Sequence, residues 1–305
     1  MIVVAGEALI DLIPNASGDL VVSVGGGPLN TARWLGRLGQ PVGFLGAVAG
    51  DLLGERIRNS LTETGVSLDL LIETHRSTTL ALAQVDGAGA ARYSFYADRT
   101  SVADVTAAEA VAVLPHQFEA LHVGGLGLML EPVADALEQI VDLARRRGAL
   151  VMLDPNVRPS LLTEREPYLA RFYRVLAQTD VLKLSVEDLD WLAPGVEPLA
   201  AAGRLAQRGP AAVLLTAGAA GATLLGAGIA TLVPAAAVAL IDTIGAGDAF
   251  SAGFLHHWLK SGRGASELTD AEALAEATRF AIAVAGIACT LRGATPPRLL
   301  ETPLF

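Results

Sequence analysis

Asp242-Thr243-Ile244-Gly245-Ala246-Gly247-Asp248-Ala249-Phe250 follows a long apolar region and opens a segment with helical spacing. Phe250, Phe254 and Trp258 recur at every fourth position, which puts them on one helical face, and Gly262 supplies a stop. Two glycines flanking an alanine at a helix start let successive backbone N–H groups turn toward one point. The helix dipole adds partial positive charge there, so the place suits a phosphate or another concentrated anion. Asp248, in the first turn, aims a carboxylate at the same point. Repulsion disfavours that arrangement unless the acid has a task, such as orienting a hydroxyl that attacks phosphorus. Taken alone, Asp248 fits a dipole-complementing residue equally well. The surrounding chain decides.

Upstream, residues 209–241 carry no charge, but Gly218, Gly221, Gly226, Gly228 and Pro234 cut the run into short pieces. Buried strands explain it better than a spanning helix. Further back the alternation of strand and helix is regular. Val213-Leu214-Leu215 delivers Thr216-Ala217-Gly218-Ala219-Ala220-Gly221, and Val181-Leu182-Lys183-Leu184 delivers Ser185-Val186-Glu187-Asp188. Leu150-Val151-Met152-Leu153 delivers Asp154-Pro155-Asn156-Val157-Arg158, and Leu121-His122-Val123 leads to Gly124-Gly125 and a helix stopped by Arg145-Arg146-Arg147-Gly148. The arginine triplet reads as a favourable helix C-terminus, and His122 as a satisfied core histidine. In open α/β sheets ligands bind at the carboxyl ends of strands, so polar clusters after consecutive strands mark one site.

Toward the N-terminus, residues 2–6 read as a buried strand running into Leu9-Ile10-Asp11-Leu12-Ile13-Pro14. Asp11, between apolar neighbours, is either a turn acid or an acceptor for substrate hydroxyls. After a strand-like stretch at 20–24 comes Gly25-Gly26-Gly27-Pro28-Leu29-Asn30, where Pro28 starts a helix with inner face Ala32, Leu35 and Leu38 and an end at Gly39. The glycines allow close approach by a ligand, and Asn30 in the first turn can reach it. A short strand at 42–46 precedes a helix marked by Leu53, Ile57 and Leu61. Residues 79–85 and 92–96 alternate as two strands around the turn Asp86-Gly87-Ala88-Gly89. No helical stripe separates them, so a small β excursion, built with the strand near Val21, is expected as a lid that excludes water.

The chain of 305 residues can bury a large α/β core, and its net charge of −10 argues against a nucleic-acid surface. Cys289 is the only cysteine, so no intrachain disulfide forms; with no signal-peptide pattern at Met1-Ile2-Val3-Val4-Ala5-Gly6-Glu7, a cytoplasmic setting is expected. The lysines are Lys183 and Lys260, neither after a glycine, which excludes a Walker-type loop; a G-x-G-x-x-G fingerprint is missing too.

Together these residues resemble the ribokinase-like (pfkB) carbohydrate kinase family, most closely its fructokinase branch, over nearly the whole chain. Residues 242–255 resemble the family's C-terminal signature and 26–39 its N-terminal one, while Ala49-Gly50-Asp51 stands where the family often has Gly-Asp-Asp. The resemblance implies an α/β fold, a doubly wound, mostly parallel sheet flanked by helices, as one kinase domain over 1–305 with lid segments 11–24 and 79–100. It implies ATP as phosphoryl donor, Gly245, Ala246 and Gly247 as the anion hole, and Asp248 as catalytic base. Asp11, Gly26, Gly27 and Asn30 would hold sugar hydroxyls. Ser185, Thr216, Gly218 and Gly221 would lie along the nucleotide, with Gly245 and Gly247 at its phosphates. The family's Asn-x-x-Glu magnesium motif appears as Ser185-Val186-Glu187-Asp188, with Asp188 in the place of the acid. A potassium ion is implied beside the anion hole, near residues 242–244 and 288–293.

Phosphoryl transfer needs in-line placement and charge neutralisation more than covalent chemistry. Without a P-loop lysine, backbone N–H groups, magnesium and Arg158 are expected to supply it, and the helix dipole is expected to keep Asp248 ionised, a modest base. The expected substrate is D-fructose, from the resemblance at Gly6-Glu7-Ala8-Leu9-Ile10-Asp11, Asp154 to Arg158 and Cys289-Thr290-Leu291-Arg292-Gly293-Ala294. The competitor is 2-keto-3-deoxygluconate, whose kinases share the Gly-Glu opening and the Asp-x-Asn-x-Arg pattern. They place an arginine after the lid's aromatic pair, where Ala97 follows Phe95-Tyr96 here; Arg99, if on a strand, would face the same side. Ribose and nucleosides are weaker rivals, the latter for want of an identified stacking aromatic. A non-catalytic sugar sensor is disfavoured by the intact anion hole and acid. Val21, Val24, Leu80, Leu82 and Phe95 are expected to give the lid an apolar face that pairs in a homodimer.

Overall fold

A computed structural model of the chain describes residues 1–15, 17–85, 91–162 and 164–297, so the expected turn Asp86-Gly87-Ala88-Gly89 lies outside the described residues. The chain opens with β1 (Ile2–Ala5), makes a two-stranded excursion through β2 (Leu9–Pro14) and β3 (Leu20–Gly25), and returns as α1 (Gly27–Arg37), β4 (Val42–Ala49), α2 (Leu52–Glu63) and β5 (Leu71–Thr74). A second excursion supplies β6 (Leu80–Val85) and β7 (Ala91–Tyr96). From there helix and strand alternate: α3 (Ala107–Val113), β8 (Ala120–Gly124), α4 (Val133–Arg146), β9 (Leu150–Asp154), α5 (Arg165–Leu176) and β10 (Val181–Ser185). The chain closes with α6 (Val186–Leu192), α7 (Pro198–Ala206), β11 (Ala212–Thr216), β12 (Ala222–Gly226), β13 (Ile229–Val233), α8 (Ala246–Lys260) and α9 (Ala271–Cys289).

The main sheet runs β13-β12-β11-β10-β9-β8-β1-β4-β5 and is parallel except at β12 and β13. Helices cover both faces, which is why its central strands are apolar without alternation. Ile2 and Val4 pack with α1, α2, α8 and α9, whereas Val3 and Ala5 pack with the layer of α3 to α7. Successive side chains of one strand thus serve two separate cores. The strand order reverses at β1, which has β4 on one side and β8 on the other. The uncharged run at 209–241 is three short strands and a loop, and no described helix is long and apolar enough to cross a membrane.

A second, four-stranded sheet runs β3-β2-β6-β7. Its register corrects the expected apolar face. Ile10 lies opposite Val24 and Leu80, Leu12 opposite Val22 and Leu82, and Leu80 opposite Tyr96. Val24, Leu80 and Leu82 therefore share a face with Leu12, Val22 and Tyr96, while Val21 and Phe95 lie on the other face with Asp11 and Tyr93. The five residues named from the sequence divide between two faces because the alternation of each strand is local and the pairing offset is not. The arginine triplet is structural, as expected: Arg145 pairs with Asp180, Arg146 with Asp142, and Arg147 donates to the Pro115 carbonyl at 2.7 Å.

Candidate active site

α8 starts where the glycine spacing predicts. Gly245, its N-cap, sits at φ +78° and carries no side chain to cap the helix; the Ala246 N–H turns back to the Thr243 carbonyl at 3.2 Å, and the N–H groups of Gly247 and Asp248 face no capping side chain. Packing requires both glycines. A Cβ on Gly245 would lie 2.7 Å from Ala294 Cβ, and one on Gly247 would lie 2.9 Å from Lys183 Nζ. Asp248 stands in the first turn with 8% of its surface exposed, and its Oδ2 accepts a hydrogen bond from Asn30 Nδ2 at 2.9 Å. Burial pushes its pKa up to about 7, against the Asn30 hydrogen bond. Where the sequence suggested an acid kept ionised by the helix dipole, burial here disfavours the anion.

Groups from several strand ends converge on the N-terminus of α1. The position a Cβ would take on Gly27 is 2.8 Å from Asn156 Nδ2, 3.3 Å from Asp248 Oδ1 and 3.6 Å from Glu7 Oε1. Gly26 is equally confined, its Cβ position lying 2.5 Å from the Glu7 carbonyl oxygen. Asn30 is oriented from behind by Arg33, whose Nη1 donates to Asn30 Oδ1 at 3.4 Å. An arginine has only donors, so the amide must turn its own NH₂ to Asp248. Asp11 enters from β2 over Gly25, whose missing Cβ would lie 1.9 Å from Asp11 Oδ2; burial raises Asp11 to about 6, opposed by Arg158. Arg158 donates to the Asn156 and Val157 carbonyls, and its charge acts on Glu7, Asp11, Asp154 and Asp248.

The pattern that defines the pfkB family carbohydrate kinases matches residues 1–301. The chain belongs to the pfkB family of carbohydrate kinases. A fructokinase of Rhizobium leguminosarum bv. trifolii is 34% identical over 259 residues, covering 84% of this kinase and 78% of that protein. A fructokinase from Xylella fastidiosa, solved with bound ATP, superposes with a TM-score of 0.89 at 29% identity, covering 96% of this chain and 93% of the other. An aminoimidazole riboside kinase from Salmonella enterica, solved with aminoimidazole riboside and an ATP analogue, gives 0.84 at 25% identity over 97% and 96% of the two chains. The protein is thus an ATP-dependent sugar kinase.

At the carboxyl ends of β10 and β11, Ser185 and Thr216 are paired, and Thr216 donates to the Leu184 carbonyl at 3.3 Å. Gly218 and Gly221 form the turn after β11, where a Cβ on Gly221 would lie 2.2 Å from the Val233 carbonyl oxygen. Asp188 is committed to local structure. It forms a reciprocal cap with Ser185 at the start of α6, and its Oδ1 accepts from the Val157 N–H at 2.8 Å. Among the described residues no three His, Cys, Asp or Glu side chains converge to hold a metal. A divalent ion would therefore take most of its ligands from phosphate oxygens and water, which suits magnesium. Beside the anion hole, Asp242 accepts from the N–H groups of Ile244 and Gly293, and the Cys289 carbonyl accepts from Ile241 and Asp242. The two segments that resemble the family's potassium loop are thus held together.

Three kinase residues escaped the sequence reading. Lys183, on β10, forms a buried ion pair with Asp154 at 2.8 Å beneath Gly247. Burial disfavours its ammonium, yet Asp154, Asp188 and Asp248 hold its pKa above the ordinary lysine value. A charge inside the apolar strand Val-Leu-Lys-Leu was the available signal. Glu7 was noted only within the resemblance, and Tyr93 only as part of a strand. Tyr93 faces the acids, and burial, aided by Asp11, Asp242 and Asp248, pushes it up to about 12. Two expectations fail. Arg99 is not on a strand; β7 ends at Tyr96, and Arg99 is exposed in a turn at φ +53°. His122 is buried, but its Nδ1 has no partner, and burial drives its pKa down to about 3.

Proposed function

We propose that the kinase transfers the γ-phosphoryl group of ATP to a terminal hydroxyl of D-fructose, with Asp248 as the base. The observation that carries this reading is the seat of Asp248: buried, oriented by Asn30, and one residue beyond the uncapped N–H groups of α8. The hydroxyl oxygen attacks phosphorus as its proton passes to Asp248 and the bond to ADP breaks. The α8 N–H groups stabilise the charge gathering on the phosphoryl oxygens, and the Lys183 ammonium beneath Gly247 adds to their field. Sugar hydroxyls are held by Asp11, Asn30 and the backbone at Gly26 and Gly27. The nucleotide lies along Ser185, Thr216, Gly218 and Gly221, where exposed Val238, Leu240 and Ile241 offer apolar cover for a base. Magnesium would accompany the phosphates and neutralise their charge, with Asp188 as the acid this chain offers it, and the 242–244 and 288–293 segments would hold potassium. The small sheet, drawn from 11–24 and 79–100, serves as the lid of a single kinase domain and carries Asp11 and Tyr93 to the sugar.

A neutral sugar is favoured over 2-keto-3-deoxygluconate because Arg158 already faces four acids and Arg99 points away in a turn. A buried substrate carboxylate would need a cation free to pair with it. The stacked Tyr93–Phe95 pair, with centroids 6.1 Å apart, is the one feature that favours a riboside. A coupled ADP-release assay with fructose, 2-keto-3-deoxygluconate, ribose, tagatose, adenosine and aminoimidazole riboside tests the choice. Fructose is expected to give the highest kcat/KM. A tenfold advantage for any other, about 1.4 kcal/mol of transition-state binding, overturns it.

A further inference from the structure

Glu7 is a buried acid that the reaction above leaves without a role. It follows β1 directly, the strand at which the sheet order reverses, and such reversals open the crevice that takes the ligand in open α/β sheets. Its side chain is enclosed by glycines at two other chain reversals. A Cβ on Gly125, after β8, would lie 2.4 Å from both carboxyl oxygens, and one on Gly26 would lie 3.3 Å from Glu7 Cγ. Oε1 accepts the Gly27 N–H at 3.1 Å, while Oε2 has no hydrogen-bond partner among the described residues. Gly26 precedes α1 and has no side chain to cap it, so Glu7 reaches across from β1 to take an N–H that α1 cannot satisfy itself. Asp248 lies just across Gly27 from Glu7.

Burial disfavours the anion at either carboxyl group, and the Asp248 charge adds a smaller push at Glu7. Asp248 has the donor that favours an anion, the Asn30 NH₂. Glu7 has backbone N–H groups only, its own and that of Gly27, and an oxygen, Oε2, that can carry a proton. We propose that Glu7 is a positioning residue for the phosphoryl transfer: as a neutral acid it caps α1 from β1, holds Gly27 and Asn30 against Asp248, and leaves Asp248 the ionised member of the pair. The inference rests on Asp248 being the base. Burial acts in the same sense, raising Glu7 to about 8 and Asp248 to about 7; the charged groups facing Glu7 are Arg158, which opposes the rise, and Asp248, which adds to it.

The test is the pH profile of kcat/KM for Glu7→Gln and Glu7→Leu beside the wild type, with whichever sugar the enzyme turns over. The wild type should decline above about pH 8 as Glu7 ionises. Glu7→Leu should raise the sugar KM by about tenfold with a smaller change in kcat, because the start of α1 is released. Glu7→Gln, neutral and still an acceptor at Oε1, should recover most of that loss and abolish the alkaline decline. A Glu7→Gln enzyme as inactive as Asp248→Asn, or one with the wild-type alkaline limb, overturns the proposal. Infrared difference spectra of the free proteins at pH 7 decide the protonation without turnover. A protonated-carboxyl band present in the wild type and missing in Glu7→Gln is expected, and its absence from the wild type overturns the proposal. If the band is there but no sugar is phosphorylated, the substrate assignment fails instead.

Discussion

Asp248 carries two pH signatures of opposite direction. As a base it works ionised, so kcat/KM should climb as pH rises through about 7. Its folded pKa lies above the unfolded value, so the stability linked to it is complete below the unfolded pKa and is lost as pH rises through about 7. Asp248→Asn should therefore lower kcat by about a hundredfold or more, leave ATP affinity little changed, and raise the melting temperature at pH 8 more than at pH 5. Near wild-type turnover in that variant would remove Asp248 from the mechanism. Lys183 invites a cycle. Lys183→Met strands the buried Asp154 carboxylate and should cost stability and activity together. The double variant Lys183→Met/Asp154→Asn should regain stability yet stay at least about tenfold down in kcat, since the field under Gly247 is still missing. Full recovery of kcat would make Lys183 a structural counter-ion and nothing more.

Among the elements, α8 does two jobs at its two ends. Its N-terminus presents the uncapped first turn beside Asp248, and its body holds that turn by packing on α9. Phe254 and Trp258 are fully buried and stacked with centroids 6.0 Å apart. Gly253 permits the closest approach: a Cβ there would lie 2.9 Å from Ala281 Cα and 3.1 Å from Val284 Cβ. The obstacle is backbone, which cannot swing aside as a long side chain can. Gly253→Ala is therefore expected to lower unfolding free energy in urea by about 1–3 kcal/mol despite its better helix propensity. An unchanged or higher midpoint would show that α9 shifts freely. At the start of α2, Asp51 caps Leu53 and Gly54 and also holds the N–H and hydroxyl of Thr78 just before β6. Asp51, the acid that this chain keeps from the family's usual Gly-Asp-Asp, thus ties β6 to the body.

At the scale of the whole molecule, one face of the small sheet packs on the core at Ile10, Leu12, Val24 and Leu80 but is exposed toward its outer end. Leu20, Val22 and Tyr96 are 51%, 40% and 57% exposed on the side away from Asp11 and Tyr93. An exposed apolar patch at the end of a few-stranded sheet suits burial against another copy, so a homodimer through this end is expected. Light scattering at micromolar concentration should report a dimer, and Val22→Asp should shift it to a monomer. A wild-type monomer would sink the expectation.

The periodicities of this chain determined much by themselves. Every-fourth-residue apolar spacing, glycines at several helix ends, and short apolar runs ending in polar clusters are local properties; they located β1 to β4, β6 to β11, α1, α2, α4 and α8 with Asp248 in its first turn, while β5, α3, α5, α6, α7 and α9 went unread. Even the charged Lys183 within an apolar strand was visible, though not its purpose. Tertiary structure alone decided what depends on neighbours remote in sequence. Burial set the protonation of Asp248 against its helix dipole, because desolvation sums over every element that encloses the carboxyl. Strand register sent Val21 and Phe95 to one face of the small sheet and Leu80 to the other, since a pairing offset is invisible within either strand. The same convergence of distant strand ends placed Lys183 under Gly247 and Glu7 across Gly27 from Asp248.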